Sequence, residues 1–211
     1  MDLSELARVC ESLPIFPLPR LVLMPGDLLP LHVFEPRYRE LVSHCQGRDG
    51  VMGIATLHPG QGSQDLAPGF FPEIGLGVLV ACQPYPDGRS TIVLQSIGRC
   101  VVERELNSPH PFRMVRATPS LPVGGGATAA ILRLKTLVLQ LGAPSVDAAN
   151  EARRLVALDG ADMVDSLARK LIENSDERRA YLAADQLVER VRMVEEKLAQ
   201  FLHIATPSAE A

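Results

Sequence analysis

Fifteen of the seventeen prolines in this chain lie at or before Pro122, and only Pro144 and Pro207 follow. Alanine runs the other way, with 5 residues up to that point and 17 beyond it. Proline lacks a backbone donor and is excluded from helix interiors, whereas alanine is the best helix former. The sequence therefore predicts two parts of different grammar. The expected fold class is α+β, with a β-barrel or bent sheet carrying one short helix over residues 1–122 and an α-helical bundle over 127–205. Gly124, Gly125 and Gly126 mark a linker at 123–126, and "ATPSAEA" reads as a frayed end with its tail at 206–211.

Short runs rich in Val, Ile and Leu, bounded by Pro and Gly, predict strands at 20–24, 28–34, 50–57, 75–83, 90–98, 99–105 and 112–118. Between the fourth and fifth runs, "YPDGRS" places Asp87 and Gly88 where a tight hairpin needs positive φ angles, with Arg89 as a solvated charge. Residues 58–72 read as a long surface loop. After the linker, apolar residues recur at intervals of three and four, as in Ile131, Leu134, Leu137, Val138 and Leu141. Further helices are expected at 147–160, 161–174 and 176–203, the last with a break near Asp185. Ser145 stands just before a helix and reads as a cap.

The stretch "PLHVFEPRYREL" (30–41) concentrates chemically capable groups. In a strand, His32 and Phe34 share one face and Leu31 and Val33 the other. Pro36 suits the first position of a helix, and Tyr38, Leu41, Val42 and Cys45 then form one apolar face ended by Gly47. Strand, corner and helix follow in sequence. Glu35 falls near the helix N-terminus, within reach of Arg37 or Arg39. The histidines lack the spacing of a zinc helix, so no metal site is expected.

A formal net charge of −4, with 10 Arg, no Lys and 12 acids in residues 1–122, disfavours nucleic acid as a partner. No apolar run approaches the ~20 residues that cross a bilayer. Four widely spaced cysteines without a CxxC, and an N-terminus without a signal-peptide pattern, point to free thiols and a cytoplasmic location. No nucleophile and base are paired in sequence, and no cofactor motif is present.

The segment 13–42, "LPIFPLPRLVLMPGDLLPLHVFEPRYRELV", strongly resembles the start of the Lon N-terminal domain family, the substrate-recognition domain of ATP-dependent Lon proteases, which also occurs in free-standing bacterial proteins. The pieces that carry the likeness include Pro14, Pro17, Pro25, Gly26, Phe34, Glu35, Pro36, Arg37 and Tyr38. A second match spans 73–102 and includes Asp87, Gly88 and Arg89; similarity continues through 111–119 and 167–191. These residues are expected to have architectural roles. The resemblance implies a PUA-like β-barrel, a C-terminal helical bundle and recognition of polypeptide. The chain has no GxxxxGK[ST] to grip ATP, and its three lysines, Lys135, Lys170 and Lys197, lie in helical pattern rather than in the Ser-Lys peptidase of that family.

The expected activity is therefore a non-catalytic module that binds unfolded or tagged polypeptide, or an adaptor to a protease or another protein. Phe70 and Phe71, adjacent in a Gly/Pro-rich loop, and Tyr85 beside the hairpin are the candidate apolar anchors. The competing reading is an RNA-binding module, since PUA-like barrels of other families recognise RNA; Arg20, Arg37 and Arg39 are its local basic residues. An enzyme with a pocket between the two parts is a third reading, without a supporting motif.

Overall fold

In a computed structural model of the chain, which describes residues 2–61, 69–121, 123–142 and 145–205, Asp2 starts the first helix, α1 (Leu3–Cys10). Its carboxylate accepts the N–H groups of Ser4 at 2.8 Å and Glu5 at 2.9 Å, and Glu5 accepts the N–H of Asp2 at 2.9 Å. This reciprocal capping box was not read from the sequence, although Asp2 and Glu5 carry its spacing.

The next elements are β1 (Leu13–Leu18), β2 (Leu28–Val33), α2 (Pro36–Gln46), β3 (Val51–Thr56), β4 (Glu73–Pro84), β5 (Ser90–Leu106) and β6 (Arg113–Pro119). Their sheet order is β2-β5-β4-β3-β1-β6, and β5 also pairs with β6. That extra pairing closes a ring of β1, β3, β4, β5 and β6. The ladders are antiparallel except β1 with β3. β2 hangs on the first half of β5, outside the ring.

β1 was not among the expected strands because it contains Pro14 and Pro17. Pro14 faces Met114 of β6 before pairing with β3 begins at Ile15, and Pro17 faces Ala55 of β3 after pairing with β6 has ended. Each proline sits where the strand is bonded on one side only, so its missing donor costs no rung.

The run 20–24, expected as a strand, instead crosses β4 as irregular chain with Val22, Leu23 and Met24 buried. Gly75 permits this crossing, since a Cβ there would overlap the Leu23 carbonyl and lie 2.7 Å from the Leu23 Cβ. The Thr56 hydroxyl fixes the segment by donating to the Leu21 carbonyl at 2.6 Å.

The ring strands pack Leu13, Ile15, Val51, Ala55, Ile74, Leu76, Cys100 and Val115 together with Leu6 and Cys10 of α1. Phe16, Met52, Ile54, Ile92 and Leu94 form a second layer with Tyr38, Leu41, Val42 and Cys45 of α2. The expected break at 98/99 is a bulge within one 17-residue strand. Leu76 pairs with Gly98 and Gly77 with Ser96, leaving Ile97 extra, and Gly98 takes φ +149°.

The chain divides into two units, Met1–Leu121 and Pro122–Ala211. The second contains α3 (Thr128–Leu141), α4 (Val146–Val156), α5 (Gly160–Leu171), α6 (Ser175–Ala183) and α7 (Leu187–Ala205). Ser145 caps α4, accepting the Ala148 N–H at 3.1 Å. The long helical run breaks at 184–186, where Val123 donates to the Asp185 carbonyl at 2.8 Å and accepts the Leu187 N–H at 3.0 Å. The stripe Leu134, Val138, Leu155, Leu167, Val191, Val194 and Leu198 is buried, whereas Phe201 is exposed.

Asp165, Tyr181 and Arg190 form a buried polar cluster in this bundle. Asp165 accepts from the Tyr181 hydroxyl at 2.6 Å and from Arg190 at 3.1 Å, and Arg190 also donates to the Ala184 carbonyl at 3.0 Å. Burial raises the pKa of both Asp165 and Tyr181 above their ordinary values. The expected tail at 206–211, Pro122 and residues 62–68 of the surface loop lie outside the described residues.

Candidate functional site

β2 is an edge strand with an apolar outer row. Leu28 is 66% exposed, Phe34 just beyond the strand is 57% exposed, and Pro30 and His32 between them are also exposed. The alternate residues Leu29, Leu31 and Val33 pack on the core instead. Pro30 lies beside Val93 of β5, which pairs in turn with Ala81 of β4, and His32 lies beside Thr91. Val80, at the irregularity between Leu79 and Ala81, is exposed as well.

Aromatic rings close one end of this face. The His32 ring lies 6.3 Å from Phe34 and 6.0 Å from Tyr85. Thr91 ties them together, with its hydroxyl 3.0 Å from the Tyr85 hydroxyl and 3.5 Å from His32 Nδ1. The result is a row of apolar and aromatic side chains whose polar atoms serve one another.

The corner after β2 holds that row in place. Pro36 is the first residue of α2, and Glu35 is its N-cap, with no side-chain capping bond. The Glu35 carboxylate instead accepts Arg37 Nε at 3.1 Å and Nη2 at 2.9 Å. The Arg37 guanidinium lies 4.5 Å over the Tyr38 ring, which is 4.1 Å from that of Phe16. Before the strand, Pro25 and Gly26 make a turn in which the Asp27 N–H donates to the Met24 carbonyl at 3.1 Å, with Gly26 at φ +78°.

The hairpin tip carries Asp87, Gly88 and Arg89. Only Gly88 takes a positive φ, +82°; Asp87 instead accepts the Arg89 N–H at 3.0 Å and its Nε at 2.6 Å. The loop is thus longer than a two-residue turn, with Tyr85 and Arg89 bonded across its base at 2.9 Å. The Arg39 guanidinium lies against Gly88, and among the described residues it has no ion pair.

Of the anchors named from the sequence, Tyr85 belongs to this face, whereas Phe70 and Phe71 lie beyond the opposite end of β4. Both are half-buried. Phe70 bridges to Leu57 under the Arg113 guanidinium, 4.6 Å from its ring, and Phe71 donates to the Thr56 carbonyl at 3.0 Å and meets the His58 ring edge-on at 4.6 Å. Leu28, Pro30 and His32 were not named as anchors. Their signal was the alternation in "LLPLHVF" with a proline that marks an edge strand.

Among the described residues, no group of three or more His, Cys, Asp or Glu could hold a metal ion, and no helix is long and apolar enough to cross a membrane. All four cysteines are free, and burial pushes the Cys45 thiol up to about 12. The His44 ring is edge-on to His110 at 4.7 Å, and burial holds its pKa below the ordinary value.

The family model described as the ATP-dependent protease La (LON) substrate-binding domain matches residues 12–207. Comparison with curated protein sequences finds no match. Among solved structures, the chain is similar to the N-terminal domain of the Mycobacterium avium complex Lon protease, with TM-score 0.67 and 16% identity over 89% of this chain and 98% of that one. It is also similar to a Lon N-terminal domain protein from Xanthomonas campestris, with TM-score 0.62 and 22% identity over 89% of this chain and 97% of that one. At these identities the structural likeness is one of fold.

Proposed function

The chain belongs to the Lon substrate-binding domain family, and from that premise we propose that it is a non-catalytic recognition module that holds apolar stretches of unfolded or tagged polypeptide on the outer face of β2. It works either directly or as an adaptor to a protease or another protein. The observation that carries this reading is the exposed row Leu28, Pro30, His32 and Phe34, with the Tyr85 ring 6.0 Å from that of His32. Unfolded chains differ from folded ones in offering contiguous apolar side chains. A surface that reads this difference needs exposed apolar and aromatic anchors on a rigid frame. β2 provides the frame, because Val33 is buried in the core and Leu29 and Leu31 pack against it.

The test is fluorescence anisotropy of a labelled unfolded polypeptide and, in parallel, a labelled single-stranded RNA, at low and moderate salt. Saturable polypeptide binding that survives salt and weakens on Leu28→Ser is the expected result. The paired substitution Phe70→Ala/Phe71→Ala, away from this face, should affect folding more than affinity. Salt-labile RNA binding without a polypeptide signal, or polypeptide binding indifferent to Leu28→Ser, overturns the proposal.

A further inference from the structure

The backbone of β2 carries information that its side chains do not. Ser96 of β5 donates to the carbonyl of Asp27 at 2.8 Å, and the register runs on without a slip from Leu28 opposite Gln95 to Val33 opposite Ser90. In an antiparallel ladder, hydrogen-bonded and non-bonded pairs alternate. Starting from Asp27, the residues that exchange bonds with β5 are therefore Leu29, Leu31 and Val33. The N–H and C=O groups of Leu28 and His32, and the C=O of Pro30, point away from β5 to the open edge. Among the described residues, none of these groups has a backbone partner. Pro30 confirms the parity, since the residue without an N–H occupies a position where β5 requires none.

Resting on the reading that this face binds polypeptide, we propose how it does so: an extended segment of the bound chain adds to β2 as a new edge strand, bonded to Leu28, Pro30 and His32, with alternate apolar side chains beside the exposed row. Six residues of β2 offer about 20 Å of edge, enough for a segment of similar length. Charge fixes the chemistry at one end. Glu35 is paired with Arg37 and Asp87 with Arg89, and Arg39, beside Gly88 at the Val33 end, has no ion pair among the described residues. The preferred occupant alternates apolar residues and carries a carboxylate, from an acidic side chain or the chain terminus, at the end near Arg39.

The probe is a short fluorescein-labelled peptide that alternates leucine and serine and ends in aspartate, with its C-terminus amidated so that the aspartate side chain is the one carboxylate of the peptide chain. Two readouts separate this mode of binding from simple adhesion to the apolar row. First, amide hydrogen exchange at Leu28 and His32 should slow on saturation with the peptide. Second, His32→Ala removes the ring and keeps the N–H, whereas His32→Pro removes both; the proline variant should bind roughly tenfold more weakly than the alanine variant. Thermal unfolding of both variants confirms that each is folded. Replacing the peptide's aspartate by asparagine should weaken binding, and Arg39→Gln should abolish that difference.

Saturable binding with unchanged exchange at Leu28 and His32, or equal affinities of the two His32 variants, overturns strand addition and leaves the apolar face standing. No binding by the wild-type protein overturns both. Protection of those amides that grows with protein concentration in the absence of peptide identifies a second copy of this chain as the occupant and overturns the proposal.

Discussion

Replacing Asp165 by alanine should destabilise the helical unit by about 4 kcal/mol. The Asp165 carboxylate accepts from both Tyr181, at 2.6 Å, and Arg190, at 3.1 Å, and the Arg190 side chain is 1% exposed. Without that carboxylate, the guanidinium keeps its bond to the Ala184 carbonyl and loses its counter-charge in a site that water does not reach. Its Nη2 already has no hydrogen-bond partner. Breaking a buried pair from one side costs roughly 3–5 kcal/mol, a large share of the ~5–15 kcal/mol that holds a typical domain together. Urea titration followed by far-ultraviolet circular dichroism, which weights the helices, should show the midpoint falling by about 2 to 3 M. Asp165→Asn keeps an acceptor for Tyr181 but also leaves the guanidinium without a counter-charge, so it should cost nearly as much. The paired change Asp165→Leu with Arg190→Met removes both charges and should recover most of the loss. A loss below about 1 kcal/mol for Asp165→Ala, or a double variant as unstable as the single, would refute the claim that an uncompensated buried cation sets the cost.

Phe34→Ser should leave the unfolding midpoint nearly unchanged, because the ring is 57% exposed, while lowering affinity for a labelled unfolded polypeptide about tenfold; a marked loss of stability with intact binding would place the ring in the core instead. Gly75→Ala should destabilise the first unit by about 2 to 3 kcal/mol, since its Cβ meets the Leu23 backbone, which a chemical denaturation curve will read directly. The pKa of His44 is lowered from 6.5 by burial first, then by Arg48 and His110, with Glu40 opposing. The unfolded chain therefore takes up this proton first, and the stability tied to neutral His44 is present above about pH 6.5 and lost as pH falls below it. Thermal midpoints at about pH 7.5 and about pH 5.5 should differ less in His44→Gln than in the wild type.

The division between a strand-rich part and a helical part was legible because proline and alanine have opposite effects on helices. Strand identity was harder to read where tertiary pairing overrode a local signal. Pro14 and Pro17 hid β1, since only the sheet order reveals that each faces an unpaired side. Val22, Leu23 and Met24 have the composition of a strand, yet they are buried by crossing the glycine backbone of β4, a long-range contact. Gly98 looked like a strand end and is a bulge, because β5 continues into a second set of partners. At the candidate site, the alternation of Leu28, Pro30, His32 and Phe34 was visible. Which face of the strand met the core was not, because that depends on where α2 and β5 pack. Phe70 and Phe71 drew attention by adjacency, whereas contacts with Arg113 and His58, both distant in sequence, shape their surroundings.

β5 gives the molecule a preferred mechanical axis. Its first half holds β2, and its second half closes the ring against β6, within one unbroken strand. A tension applied along β2 loads the rungs at Leu29, Leu31 and Val33 together, in shear, and passes straight into the closed ring. A pull across β2 loads them one at a time and peels the strand away. The same few hydrogen bonds would thus resist a lengthwise tug far better than a sideways one, so the direction of a force on β2 decides whether its rungs hold or open.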